Sequence, residues 1–159
     1  MNESPLSLAS RSVLDVGSGC GLLPICLSKF GLLGAATCGR VVATEYQDSI
    51  LEHLNLNVTN NGGGVEVRHL DWFDPQSVFD AAAAVDTVMM SDCTLDPSES
   101  PAIVKAFEEI VVASWKGKAA AGAEGRKTDV LVGACVERAG TSSFLELARG
   151  RFVVTKLER

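Results

Sequence analysis

Apolar residues follow two rhythms along this chain. Short unbroken runs occur at Val13–Val16, in Arg40–Thr44 through Val41, Val42 and Ala43, in Asp86–Ser91 through Val88, Met89 and Met90, and in Asp129–Val136. Runs of this length suit strands of a parallel sheet covered on both faces. Val65–Leu70 alternates more loosely and is predicted as a further strand, third in chain order. Between them the period changes. Leu22–Phe30 is predicted as a buried helix carrying Leu22, Leu23, Ile25, Cys26, Leu27 and Phe30 and stopped by Gly31. Asp48–Asn60 sets Ile50, Leu51, Leu54 and Val58 at helical spacing and ends at Asn61-Gly62. Ser100-Pro101 reads as an N-cap and first helical residue, followed by a stripe of Ile103, Val104, Phe107, Ile110 and Val111. Gly117–Lys127 holds only Ala, Gly and charged residues, which predicts a flexible loop over 117–128. Thr141–Arg149 is predicted as a short helix and Phe152–Leu157 as a sixth strand; Ala81–Ala84 reads as a short helix or loop.

Strand and helix therefore alternate strictly. That order predicts an α/β fold with a doubly wound, mostly parallel sheet and right-handed crossovers. The 159 residues make one domain, residues 1–12 forming a short lead, with 47% hydrophobic residues to build a core.

Charge narrows the partners. There are 14 basic and 20 acidic residues, a net charge of −6, so no basic face for nucleic acid is advertised. The five cysteines, Cys20, Cys26, Cys38, Cys93 and Cys135, contain no C-x-x-C pair. Neither a disulfide framework nor a zinc site is implied, and buried free thiols in a reducing compartment are expected. The first twelve residues are too polar for a signal peptide, and no apolar run reaches the roughly 18 residues of a membrane span. The expected location is the cytoplasm, or the nucleus, with no membrane partner.

Candidate chemistry begins at Asp15-Val16-Gly17-Ser18-Gly19-Cys20-Gly21. A plain strand–helix turn would explain these glycines. They stand, however, between a predicted strand and a predicted helix, the context in which such a loop holds a ligand. A dinucleotide fingerprint wants small residues at 17, 19 and 22, but position 22 is Leu and the third glycine is Gly21. Asp15 would also repel a pyrophosphate while attracting an ammonium. S-adenosylmethionine carries an ammonium and a sulfonium and no phosphate, so charge favours it over a dinucleotide. Glu45, at the second strand end, can accept both ribose hydroxyls, or is an ordinary helix-start acid. At the third strand end Asp71 can accept from the adenine amine, and Trp72 can cover the ring or pack in the core. Ser91 and Asp92 end the fourth strand.

VLDVGSGCGLLPI resembles motif I of class I methyltransferases. VVATEYQDSILEHLNLNVTNN resembles a segment of methyltransferase family 16, the protein-lysine methyltransferase-like family, in which an acid-ended strand leads into a helix with N-x-x-N, here Asn57 and Asn60. Leu70-Asp71-Trp72, Ser91-Asp92, and Glu137-Arg138 before a Ser-Phe helix extend the likeness over roughly Val13 to Leu157. The resemblance implies a Rossmann-like class I methyltransferase, with cofactor contacts at Asp15, Gly17, Ser18, Gly19, Gly21, Glu45, Asp71, Trp72 and Ser91. It also implies a protein lysine as acceptor, oriented by Asp92. An ordinary helix-start acid is the alternative for Asp92. One departure stands out: where the family shows Asp-x-x-Tyr, this chain has Asp92-Cys93-Thr94-Leu95. A small-molecule methyltransferase and a non-catalytic cofactor- or partner-binding domain therefore stay open. The complete fold orders its strands 3-2-1-4-5-7-6. A chain lacking the seventh strand is expected to leave the fifth open, to dock the sixth segment on it, or to self-associate through that edge; a fragment is the preferred reading.

Overall fold

Among the described residues five strands form, pair in parallel, and lie in the order β3-β2-β1-β4-β5. They are β1 (Ser12–Val16), β2 (Arg40–Glu45), β3 (Glu66–His69), β4 (Thr87–Ser91) and β5 (Asp129–Gly133). The helices are α1 (Leu22–Phe30), α2 (Asp48–Asn60), α3 (Pro75–Ala81), α4 (Ser100–Ala120) and α5 (Ala139–Arg149). This computed structural model describes residues 8, 11–30, 38–82, 84–123, 125 and 127–156. The predicted helix stop at Gly31 lies outside them.

Alternate residues of the central strands feed opposite faces, which is why the runs are apolar throughout. Leu14, Val16, Val42, Val88 and Met90 pack with Val78 of α3, with Ile103, Phe107 and Ile110 of α4, and with Phe144 of α5. Phe107 and Phe144 meet edge to face with centroids 6.0 Å apart. On the other face Val13 and Val41 pack on Leu27 of α1, and Ala43 packs on Leu54 and Val58 of α2. Each such buried side chain contributes about 1.5–3 kcal/mol. Two helical layers thus enclose the sheet, as the alternation predicts.

Four expectations are corrected. First, α4 does not stop before Gly117 but runs to Ala120. Lys118 is buried, donates to the Lys127 carbonyl and the Thr128 hydroxyl at 3.1 and 3.0 Å, and pairs with Asp86 at 3.3 Å. Gly117 lets α4 approach Ala84, where a Cβ would sit 3.2 Å from the alanine methyl. Second, Ser100 is not the N-cap. Asp96 caps a 3-10 turn, Pro97–Glu99, that runs straight into α4, and the Ser100 hydroxyl donates to the Gly140 carbonyl. Third, no strand forms over residues 152–156; Leu157 lies outside the described residues. The Phe152 amide closes on the Ala148 carbonyl at the end of α5, and its ring packs on the core while Val153 is 99% exposed. Strand propensity without a neighbouring ladder does not suffice. Among the described residues β5 therefore pairs on one side only. Fourth, the cysteines are free but none is fully buried: Cys20 and Cys135 are exposed and the other three half-buried.

Between β3 and β4 lies α3, which the hydrophobic pattern missed. Its signal is Asp74-Pro75: the Asp74 carboxylate accepts from the Gln76 amide, and Pro75 occupies the first helical position. Among the described residues no helix is long and apolar enough to cross a membrane.

Candidate cofactor site

Strand order reverses between β1 and β4, so the loops after these strands splay apart at the carboxyl edge and leave a crevice. The ends of β1, β2, β3 and β4 bring Asp15, the glycine loop, Glu45, Asp71, Trp72, Ser91 and Asp92 to that one edge.

The glycine loop is locked from behind. Gly17, Gly19 and Gly21 all have positive φ, at 70°, 54° and 90°. The Ser18 amide donates to the Thr44 carbonyl, and its hydroxyl both donates to the Asp15 carbonyl and accepts from the Thr44 amide. The Thr44 hydroxyl adds a buried bond to the same Asp15 carbonyl at 2.9 Å. From α2, the Asn57 amide group donates to the Cys20 carbonyl. Two glycines are walled in. A Cβ at Gly17 would sit 2.7 Å from Cys93 Sγ, and one at Gly21 would sit 2.5 Å from Leu54 Cδ1. At Gly19 a Cβ would meet nothing within 4 Å, so the loop opens to the crevice there.

Glu45 is 7% exposed and spans the loop: Oε2 accepts from the Gly19 amide at 3.2 Å and Oε1 from the Tyr46 amide at 2.9 Å. It is thus no free helix-start acid. Each oxygen keeps a lone pair for a further donor. Asp15 is 2% exposed, and its Oδ1 has no hydrogen-bond partner among the described residues. Burial pushes its carboxyl from an ordinary 3.8 up to about 7, against a lowering hydrogen bond from Ser18. Such a group is poised for a cationic partner.

The far rim comes from β3 and β4. Asp71 Oδ1 accepts from the Phe73 amide, which shapes the turn and leaves Oδ2 for a ligand. Ser77 of α3 clips this turn to the helix through the Asp71 amide and carbonyl. Trp72 is half-buried: it packs against the main core, and its Cζ3 lies 3.9 Å from the Cβ position of Gly17. Its ring stands 6.3 Å from the Tyr46 ring, tilted by 39°. Ser91 and Asp92 are exposed at the end of β4.

Pattern reading missed Cys93 and Tyr46. Cys93 Sγ reaches the carbonyls of Ser91 and Gly17 at 3.3 and 3.5 Å, and burial together with Asp15, Glu45 and Asp92 pushes its thiol up to about 11. It acts as a small packing group between the glycine loop and the β4 end, not as a nucleophile. Only an apolar-looking position directly after Asp92 hinted at it.

A family model described as lysine methyltransferase, methyltransferase family 16, matches residues 2–129. The chain belongs to this methyltransferase family. The family match takes in β1 to β4 with every site residue named above, and ends at the first residue of β5. No curated protein matches the chain. Among solved structures, an O-methyltransferase from Bacillus cereus in complex with SAH is 21% identical, with a TM-score of 0.53 over 89% of this chain and 63% of that one. A hydroxysteroid dehydrogenase from Escherichia coli is 14% identical, with a TM-score of 0.59 over 94% and 66%. A protein described for conversion of a disulfide bond into a thioacetal group during echinomycin biosynthesis is 19% identical, with a TM-score of 0.51 over 65% and 41%. The methyltransferase-family chain thus spans about two fifths of the last of these. Likeness at this identity carries the Rossmann-like fold, which methyltransferases and dehydrogenases share; the family match and the glycine spacing separate them.

Proposed function

We propose that this domain binds S-adenosylmethionine in the crevice at the carboxyl edge and transfers its methyl group to a lysine side chain of a protein. The observation that carries the cofactor reading is Asp15: a buried carboxylate with an unpartnered oxygen beneath a glycine loop open at Gly19. Asp15 would take the cofactor ammonium, directly or through water, and the remaining lone pairs of Glu45 the two ribose hydroxyls. Asp71 and Trp72 would receive the adenine edge and face, with Ser18 and Ser91 lining the loop and the β4 end. The dehydrogenase alternative asks Asp15 to face a pyrophosphate, which its carboxylate opposes. The bound cofactor supplies an activated methyl group; the chain supplies position, exclusion of water and the orientation of the amine. Asp92 at the β4 end is the candidate orienter, and the family description favours a lysine as its client.

Calorimetry with S-adenosylhomocysteine tests the site. The expected result is binding that strengthens as pH rises through about 7. Below that the Asp15 carboxyl is protonated and loses its hold on the ammonium; one pH unit below, affinity falls roughly tenfold. Asp15→Asn should bind weakly and flatten this dependence; a pH-independent affinity in the unaltered domain would remove Asp15 from the site. The free domain should show the opposite trend. Its folded Asp15 holds a proton up to about 7 and the unfolded chain only to near 3.8, so stability present below that window is lost as pH rises through it.

Incubation of the domain with methyl-labelled S-adenosylmethionine and a protein lysate tests the acceptor. Label is expected in methyllysine, and Asp92→Ala should lower its formation while changing S-adenosylhomocysteine affinity by no more than a few-fold. Label confined to small molecules would replace the lysine reading with the small-molecule one. Tight cofactor binding with no transfer at all would indicate a non-catalytic domain, for which Leu95, 61% exposed in place of the family tyrosine, is the structural argument.

A further inference from the structure

Asp92 is the one non-glycine among the described residues with positive φ, at 60°. Left-handed backbone persists at a side-chain-bearing residue when its surroundings over-determine it, and such positions gather at functional sites. Three contacts impose it here. The Asp92 amide donates to the Gly133 carbonyl at 2.7 Å, tying the end of β4 to β5. The Thr94 and Thr141 hydroxyls share a buried hydrogen bond at 2.7 Å, holding the loop after β4 against α5. The Arg138 guanidinium reaches across from the residue before α5 and grips Asp92 Oδ1 at 2.6 Å. Arg138 is itself fixed: its amide donates to the Cys135 carbonyl, and its carbonyl accepts from the Thr141 amide.

That ion pair alters what Asp92 can do. A lysine amine attacks a methyl group only through a free lone pair, hence only when neutral. A lone carboxylate is a poor host for it, because an anion stabilises the ammonium and raises the amine pKa above its ordinary value of about 10.4. Asp15 and Glu45 add two further carboxylates whose fields reach this corner, as the raised Cys93 thiol records. Arg138 is the basic side chain the structure places on Asp92. With Oδ1 engaged, Oδ2 is left to accept a hydrogen bond from the amine, which would then stand about 4–6 Å from the guanidinium by ordinary hydrogen-bond lengths. At that range a cation lowers an amine pKa by roughly one unit or more.

We propose that Arg138 is a positioning residue for methyl transfer, which holds Asp92 through Oδ1 so that Oδ2 receives the acceptor lysine as a neutral amine rather than as an ammonium. The proposal rests on the lysine-transfer reading above. In the step it serves, the amine nitrogen forms a bond to the methyl carbon, the sulfur–carbon bond breaks with its electron pair passing to the now neutral sulfur, and the methylated nitrogen sheds its proton to water.

The test is the pH profile of methyllysine formation by the full chain, with a protein lysate as acceptor pool and methyl-labelled S-adenosylmethionine, for the unaltered domain, Arg138→Gln and Arg138→Lys. Calorimetry with S-adenosylhomocysteine runs alongside. Arg138→Gln should move the acid limb of the profile upward by about one unit, giving about tenfold slower transfer near neutrality that recovers at alkaline pH. Arg138→Lys should restore most of the limb. S-adenosylhomocysteine affinity should stay within a few-fold in both, which also verifies that they fold. A rate lowered by one factor at every pH, or no rescue by lysine, overturns the proposal and leaves the lysine-transfer reading standing. No methyllysine from the unaltered domain overturns both.

Discussion

Gly19→Arg is expected to abolish S-adenosylhomocysteine binding while the domain stays folded. Gly19 has a φ of 54°, so any side chain there costs about 1 kcal/mol of backbone strain. Its Cβ direction is open, with no atom within 4 Å, so the arginine displaces none of the protein and fills the crevice where the cofactor would lie. It also brings a cation toward a site built to hold an ammonium and a sulfonium. A loss of at least about a hundredfold in affinity, near 2.7 kcal/mol, is expected by calorimetry, with circular dichroism unchanged. Gly21→Ala is the control: its methyl would sit 2.5 Å from Leu54 Cδ1 in the interior, so it should lower the melting temperature as well as affinity. Undiminished affinity in Gly19→Arg would sink the cofactor assignment.

Gly140→Val is expected to destabilise the whole domain and to cut methyl transfer more than cofactor binding. Gly140 is the second residue of α5, and its φ is unremarkable, so the demand for glycine here is purely spatial. A Cβ would lie 2.8 Å from the carbonyl carbons of Thr94 and Leu95, and closer still to the Thr94 oxygen. These are backbone atoms and cannot swing aside. Either α5 retreats from the core, loosening Phe144 and its contact with Phe107, or the loop carrying Asp92 moves. Overpacking of this kind costs about 1–3 kcal/mol, or a fall of roughly 2–12 °C in melting temperature for a domain of this size. The glycine loop is anchored from β1, β2 and α2 and meets the shifted loop at Cys93, so S-adenosylhomocysteine affinity should fall less than methyl transfer below the melting range. An unaltered melting temperature would mean that the loop after β4 is free to shift, and the rigid placement of Asp92 would fall with it.

Much of this molecule is written in short-range pattern. Leu22–Phe30 and Asp48–Asn60 are helices over the predicted residues, because apolar periodicity and a terminal Asn-Gly are local signals, but the first is not the buried helix expected: Leu22 and Phe30 are exposed. The strands β1, β2, β4 and β5 stand where apolar runs predicted them, each trimmed or extended by a few residues. Their parallel pairing follows from alternation, whereas the strand order that opens the β1/β4 crevice was expected only from the family resemblance. The acid–glycine loop and Glu45 were legible for a related reason: a ligand-binding turn between strand and helix needs particular residues at fixed offsets.

What failed was the weighing of equivalent local signals. Asp74-Pro75, Asp96-Pro97 and Ser100-Pro101 have the same form. The first two are caps and the third lies inside a helix, because Ser100 finds the Gly140 carbonyl forty residues away. Phe152–Leu157 has strand composition, yet Phe152 is drawn onto the core by the end of α5 before any ladder can form. Gly117–Lys127 has the composition of a loop, yet Lys118 extends the helix by burying its ammonium against Asp86, Thr128 and the Lys127 carbonyl.

Short-range pattern specifies the layered α/β architecture, the glycine loop and which acids stand at strand ends, since each depends on residues a few positions apart. What those acids touch is set by long-range packing. Glu45 reaches Gly19 across 26 positions, Arg138 reaches Asp92 across 46, and Asp15 is left buried with an unpartnered oxygen. Such contacts arise from packing distant segments around one core, and the charge a carboxylate carries depends on the solvent and partners that packing leaves it.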